Sequence, residues 1–173
     1  MEKAESEKEF LQFYDSESDA LFRFVFFRVS DREAAKDIVQ ESFLKLWEVL
    51  ASQAKVENPR ALLFRIASNI VIDRYRKKKE YSLDLLEEAG YDAPEIESVP
   101  IEERIDLHAA LETLQALPEK YREAVWLRNV EEWSVKDIAT HLGETVNVVS
   151  VRIHRGIALW RKGLHQKKTR RYE

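Results

Sequence analysis

From residue 81 to residue 103 the chain reads YSLDLLEEAGYDAPEIESVPIEE, with eight acidic side chains, no basic one, one glycine and two prolines. A packed helix needs a regular apolar period, and here that period weakens while like charges favour an extended chain. The segment predicts a linker between two separately folded parts, residues 1–80 and 104–173. A short surface helix over Leu83 to Ala89 is the alternative that such a linker can still contain. As a flexible coil these 23 residues would reach roughly 27 Å, and at most about 75 Å when taut.

On both sides of the linker, apolar residues recur at helical spacing. Only four glycines and four prolines occur in 173 residues, too few for the turns of an all-β fold. The expected class is therefore all-α, two small helical domains. Before the linker, Phe10, Leu11, Phe13 and Tyr14 suit a short first helix, and Leu21, Phe22, Phe24, Val25 and Val29 a second. Ser30 to Glu33 has capping-box spacing, with the Ser30 hydroxyl as cap and Glu33 reaching back. The helix it opens carries Ala35, Ile38, Val39, Phe43, Leu46, Trp47 and Leu50. ASQAKVE reads as a loop, and Asn58–Pro59 places a cap residue before a proline at the first helical position. Four helices would make a compact bundle.

After the linker, Leu107, Ala110, Leu111 and Leu114 form one stripe, and Pro118 opens a helix running to Val130. Ser134 caps a short helix burying Val135, Ile138, Ala139 and Leu142. Gly143 is placed for a left-handed turn, and Thr145 for capping a longer helix that buries Val149, Ile153, Ile157, Trp160 and Leu164. Short helix, glycine turn and longer basic helix are the signature of a helix-turn-helix; an αα-hairpin that only packs is the plainer reading.

Charge is what favours nucleic acid. The chain has a net charge of −4, yet residues 60–80 carry +5 and residues 150–173 carry +7. Such asymmetry concerns partners. The second helix of the motif offers Asn147, Ser150, Val151, Arg152, His154 and Arg155, mostly donors able to reach base edges or phosphates. Arg152 and Arg155 are expected to contribute most, with Val151 against a thymine methyl. The basic tail RKGLHQKKTRR adds phosphate attraction.

Within RALLFRIASNIVIDRYRKKK, Arg65, Asn69, Asp73 and Arg76/Lys77 form a polar stripe opposite the apolar side. An intrahelical Asp73–Lys77 pair is the plain explanation; a mid-helix asparagine, unfavourable for helix, calls for another use. The preceding helix lines up Asp37, Gln40, Glu41, Lys45 and Glu48 opposite its core side, a face suited to a charged partner or to plain solvation.

Other chemistry finds no footing. The chain has no cysteine, hence no thiolate site. His108, His141, His154 and His165 lie far apart without metal-ligand spacing. There is no Gly-rich phosphate loop and no G-x-S-x-G, so neither an enzyme nor a cofactor is expected. No run approaches membrane-spanning length and the N-terminus is acidic and polar, so a cytoplasmic protein without membrane insertion is expected. No regulatory C-terminal extension is expected either, so control would come from another chain.

Together these residues resemble a bacterial RNA polymerase sigma factor of the extracytoplasmic-function (ECF) group of the sigma-70 family. DREAAKDIVQESFLKLW resembles the core-binding helix of the sigma-2 domain. NPRALLFRIASNIVIDRYRKKK resembles the helix facing the promoter −10 element. LQALPEKYREAVWLRNVEEWSVKDIATHLGETVNVVSVRIHRG resembles the sigma-4 domain, whose helix-turn-helix reads the −35 element.

The resemblance implies a transcription initiation factor that binds core polymerase, recognises both promoter elements and helps open the strands. Asp37, Gln40, Glu41, Lys45 and Glu48 would dock on the β′ clamp helices, and the sigma-4 domain would also touch the β flap. The loop from Ser52 to Asn58, with Lys55 and Asn58, would receive a base flipped from the −10 strand. Arg60, Arg65, Asn69, Asp73, Arg74, Arg76 and Lys77 would lie alongside. Thr145, Asn147, Ser150, Val151, Arg152, His154 and Arg155 would read the −35 element. An anti-sigma factor commonly holds such proteins. The chain departs from the pattern at Ser150 and Val151, where the family often carries Lys–Ser, and it lacks aromatics on the −10 stripe apart from Tyr75. A stand-alone helix-turn-helix regulator is the competing reading, and a helical adaptor without DNA a third.

Overall fold

A computed structural model describes residues 2–52, 54–81 and 101–171. The chain divides into two compact units, Met1–Asp92 and Ala93–Glu173, and no strand occurs among the described residues. The greater part of the expected linker, residues 82–100, lies outside the described residues, as does the alternative helix at Leu83 to Ala89. Helix claims both edges of that segment: one helix includes Tyr81 and another begins at Ile101.

The first unit has three described helices, α1 (Glu2–Val29), α2 (Arg32–Ala51) and α3 (Pro59–Tyr81), not the four expected. The two short N-terminal helices are one. The polar stretch DSESDA between them contains neither glycine nor proline, and Ser16 donates its hydroxyl to the Phe13 carbonyl at 2.9 Å instead of competing with the helix from outside. Leu21, Phe24 and Val25 of α1, Ile38 and Leu46 of α2, and Leu63, Phe64 and Val71 of α3 are fully buried. The Phe24 and Phe64 rings meet at 5.1 Å.

The capping box also shifts by one residue. Asp31, not Ser30, caps α2, its Oδ1 accepting from Ala34 N–H at 2.9 Å. Ser30 is spent on ending α1: it sits at φ 54 with its N–H on the Phe26 carbonyl at 2.8 Å. Glu33 does not reach back but pairs with Lys36 at 2.7 Å. Asn58 caps α3 as its spacing predicts, accepting from Ala61 N–H at 2.9 Å.

The second unit contains α4 (Ile101–Gln115), α5 (Glu119–Asn129), α6 (Val135–Leu142) and α7 (Val146–Arg171). Leu114, Val125, Leu127, Ile138 and Val149 are fully buried at its centre. Trp160 of α7 donates its indole N–H to the Ala110 carbonyl of α4 at 3.0 Å. Gly156 lets α7 approach α5 closely: a Cβ there would lie 2.5 Å from Val125 Cγ2 and 3.1 Å from Tyr121 Cβ. Buried His141 of α6 lies with its Nε2 2.6 Å from Glu123 Oε1 of α5 and its ring edge-on to Trp133 at 5.8 Å.

Candidate nucleic-acid interface

In the second unit the turn between α6 and α7 is built by local rules. Ser134 accepts from Asp137 N–H at 3.1 Å and starts α6. Gly143 takes φ 67, a conformation costly for any residue with a Cβ. The next N–H, of Glu144, bonds the Ala139 carbonyl at 3.0 Å, while Gly143 N–H bonds Thr140 at 3.3 Å, the paired bonds of a Schellman ending. Thr145 stands at the head of α7, its hydroxyl 3.4 Å from Val148 N–H.

Helix α7 then presents Asn147, Ser150, Val151, His154 and Arg155 to solvent beside exposed Thr145. The Ser150 hydroxyl donates into its own helix, to Val146 at 2.8 Å, and keeps acceptor capacity for a partner. Arg152 departs from expectation. It is half-buried, and its Nη2 lies 2.5 and 2.6 Å from the two carboxylate oxygens of Glu144. A carboxylate eight residues back in sequence, across a turn, carries no helical-spacing signal. Val148, also exposed, widens the apolar part of this face beyond Val151.

In the first unit, α3 buries Leu63, Phe64, Ala67, Ile70 and Val71 and exposes Arg65, Asn69, Asp73, Arg76 and Lys77. Among the described residues Asp73 and Lys77 form no ion pair. Lys55 is exposed in the preceding loop.

Three other residues expected alongside are engaged within the fold. Asn58 spends its side-chain oxygen on the cap. Arg60 lies 2.8 Å from Glu17 of α1, and Arg74 lies 3.5 Å from Glu41 of α2. Tyr75 donates its hydroxyl to the Arg28 carbonyl at 2.6 Å, at the end of α1. Its half-exposed ring and exposed Ile72, three residues earlier on the same helix, are apolar groups that helical spacing alone did not single out.

On α2, Asp37, Gln40, Lys45 and Glu48 are exposed and Glu41 is half-buried. Glu41 also lies 2.9 Å from Lys45. The hydrogen bond from Lys45 holds the Glu41 carboxyl below the usual carboxylate range. Attraction to Lys45 and contact with Arg74 act the same way, and partial burial opposes them. The sequence reading missed Leu44, 59% exposed in the middle of this charged face. Together with Phe10, Leu11, Tyr14, Phe43 and Trp47 it lines an apolar groove of about 440 Å³ between α1 and α2.

Among the described residues no group of three or more His, Asp or Glu is placed to hold a metal ion. No described helix is long and apolar enough to cross a membrane. A helix-turn-helix with donors on its outward face in one unit, and a helical bundle with an exposed polar stripe in the other, make this a two-unit helical protein.

Comparison with known proteins sharpens that class. The family described as sigma-70 region 2 matches residues 13–81, and sigma-70 region 4 matches residues 107–159. The ECF RNA polymerase sigma factor SigW of Bacillus subtilis is 32% identical over 166 residues, covering 90% of this chain and 88% of that protein. SigL of Mycobacterium tuberculosis, another ECF sigma factor, is 30% identical over 159 residues, covering 88% and 87%. Among solved structures, the sigma factor RpoE of Bartonella quintana, in complex with the anti-sigma factor NepR, superposes with a TM-score of 0.75 at 25% identity. That superposition covers 91% of this chain and 98% of the other.

The chain belongs to the ECF group of RNA polymerase sigma factors in the sigma-70 family. It is a transcription initiation factor and not an enzyme, and because sigma regions match in both units, the stand-alone regulator is not favoured.

Proposed function

We propose that residues 1–80 bind core polymerase and the −10 element, that residues 104–173 bind the −35 element, and that the chain works in the cytoplasm. The observation that carries this division of labour is the stripe Arg65–Asn69–Asp73–Arg76. These side chains are exposed on α3 opposite its buried face and make no ion pair among the described residues. Polar groups so placed can hydrogen-bond an unstacked base and its phosphates. They would thereby recover the few kcal/mol that flipping a base costs. Lys55 and Lys77 add phosphate attraction, while Asn58, Arg60 and Arg74 position the loop and helix through their contacts within the fold.

Asp37, Gln40, Lys45 and Glu48, with Leu44 at their centre, form the face for the β′ clamp helices. Charged groups around an exposed apolar side chain give such a surface both orientation and desolvation. Thr145, Asn147, Ser150, Val151, His154 and Arg155 face the −35 major groove. An anti-sigma factor is a further partner, as the complex of the Bartonella quintana relative with NepR supports.

Promoter-dependent run-off transcription with core polymerase tests the reading. Asn69→Ala and Arg76→Ala are expected to slow open-complex formation about tenfold or more, the equivalent of losing one ordinary base contact, with core binding unchanged. Equal losses in open-complex formation and core binding would assign these residues a structural role. Absence of any promoter-specific transcript would overturn the whole division of labour.

A further inference from the structure

A guanidinium can make paired hydrogen bonds along two of its edges, Nε–Nη2 and Nη1–Nη2, and Nη2 belongs to both. In Arg152 this is the nitrogen engaged by Glu144, at 2.5 and 2.6 Å from its two carboxylate oxygens. Both ends of the contact are anchored. The Glu144 backbone is fixed by its N–H bond to Ala139 at 3.0 Å, directly after the left-handed Gly143. Arg152 lies well inside α7, one residue before buried Ile153. The side chains retain only 22% and 31% of their exposure, so the pair is partly withdrawn from competing water.

Paired donation from arginine to O6 and N7 is the commonest way a side chain specifies guanine. Nη2 carries one hydrogen toward each edge, so a guanine offered to either edge must compete for Nη2 with a carboxylate already seated there, while Nε and Nη1 remain for single acceptors such as phosphate oxygens. We infer that Glu144 is a specificity-determining residue of the −35 contact: it holds Arg152 as a backbone clamp and weakens its readout of guanine. This rests on the proposed assignment of α7 to the −35 element. It also shifts direct readout to Asn147, Ser150, Val148 and Val151, of which the two valines can contact thymine methyls.

The test is selection by holoenzyme, reconstituted from the full chain and core polymerase, on a promoter library randomised in the −35 region. Glu144→Ala and Glu144→Gln are expected to gain preference for guanine at one position, by about tenfold or more for the alanine variant. The gain should vanish when Arg152→Ala is added. Removing a negative charge also raises affinity for every sequence, so the readout is the base profile and not total binding. An unchanged profile in both Glu144 variants, or a uniform loss of activity, would overturn the inference while leaving the −35 assignment standing. Failure of the wild-type holoenzyme to enrich any −35 sequence would overturn that assignment, and the role of Glu144 with it.

Discussion

Arg74 of α3 lies 3.5 Å from Glu41 of α2, joining two residues that the sequence alone would send to different partners. The contact links the helix proposed for DNA to the helix proposed for polymerase, and Lys45 completes it on the other side of the carboxylate at 2.9 Å. Glu41 therefore helps hold α2 and α3 in register, while its less encumbered neighbours remain available to a partner.

The pH dependence of that contact has a definite sign. The folded Glu41 carboxyl binds its proton less tightly than the ordinary value of 4.5. Its stabilising contribution is thus complete above that value and is lost as pH falls through the lower folded one. Glu41→Gln should cost more stability at neutral pH than at a pH below 4.5, where the contribution is being lost. The pair is more than a third exposed and screened by solvent, so the cost should stay below about 1 kcal/mol. Urea unfolding of both proteins at the two pH values measures it.

Charge reversal on α2 must avoid this pair if it is to report on polymerase alone. Asp37→Arg combined with Glu48→Arg is expected to weaken core binding at least about tenfold with no change in helical content by circular dichroism. Glu41→Arg would set a third cation beside Lys45 and Arg74 and should lower stability as well. Unchanged core affinity in the Asp37/Glu48 variant would place the clamp contact elsewhere.

Asn58 is expected to act as a helix cap before anything else. Asn58→Ala should destabilise the first unit by about 0.5–2 kcal/mol. Asn58→Asp, which keeps the accepting oxygen, should restore most of that stability. If transcription recovers with stability in the aspartate variant, the cap accounts for the residue. If stability recovers and transcription does not, Asn58 touches DNA.

Gly156→Ala should destabilise the second unit despite the better helix propensity of alanine. The gain is at most about 1 kcal/mol, whereas a methyl 2.5 Å from Val125 Cγ2 must push α7 from α5, at about 1–3 kcal/mol. Adding Val125→Ala should cost less in the Gly156→Ala background than in the wild type, because it removes the obstructing methyls. Denaturant unfolding of the four proteins as a double-mutant cycle checks this.

His141 should prove structural. Its side chain is 2% exposed and touches Glu123 at 2.6 Å. His141→Ala is expected to lower stability by at least about 1–3 kcal/mol through the lost buried hydrogen bond, with a further cost for the cavity. Glu123→Gln, which can still accept from the imidazole, should cost less. Thermal unfolding of the two variants ranks them.

Helical class, the separation into two helical parts, the Asn58 and Ser134 caps and the Gly143 turn were all legible in the order of residues. Each depends on spacing over one or two turns, and a local rule needs only local sequence. The fusion of the first two helices into α1 was legible in principle, since nothing between Tyr14 and Leu21 breaks a helix, but apolar periodicity says where a helix is buried and not where it continues. The move of the cap from Ser30 to Asp31 turned on how α1 ends, which the capping-box spacing does not encode. The roles of Arg60, Arg74, Arg152, His141 and Gly156 belonged to the folded molecule. Glu17, Glu41, Glu144, Glu123 and Val125 reach them across a turn or from another helix, and a side chain's charge or size fixes what it can do only once packing has chosen its neighbour.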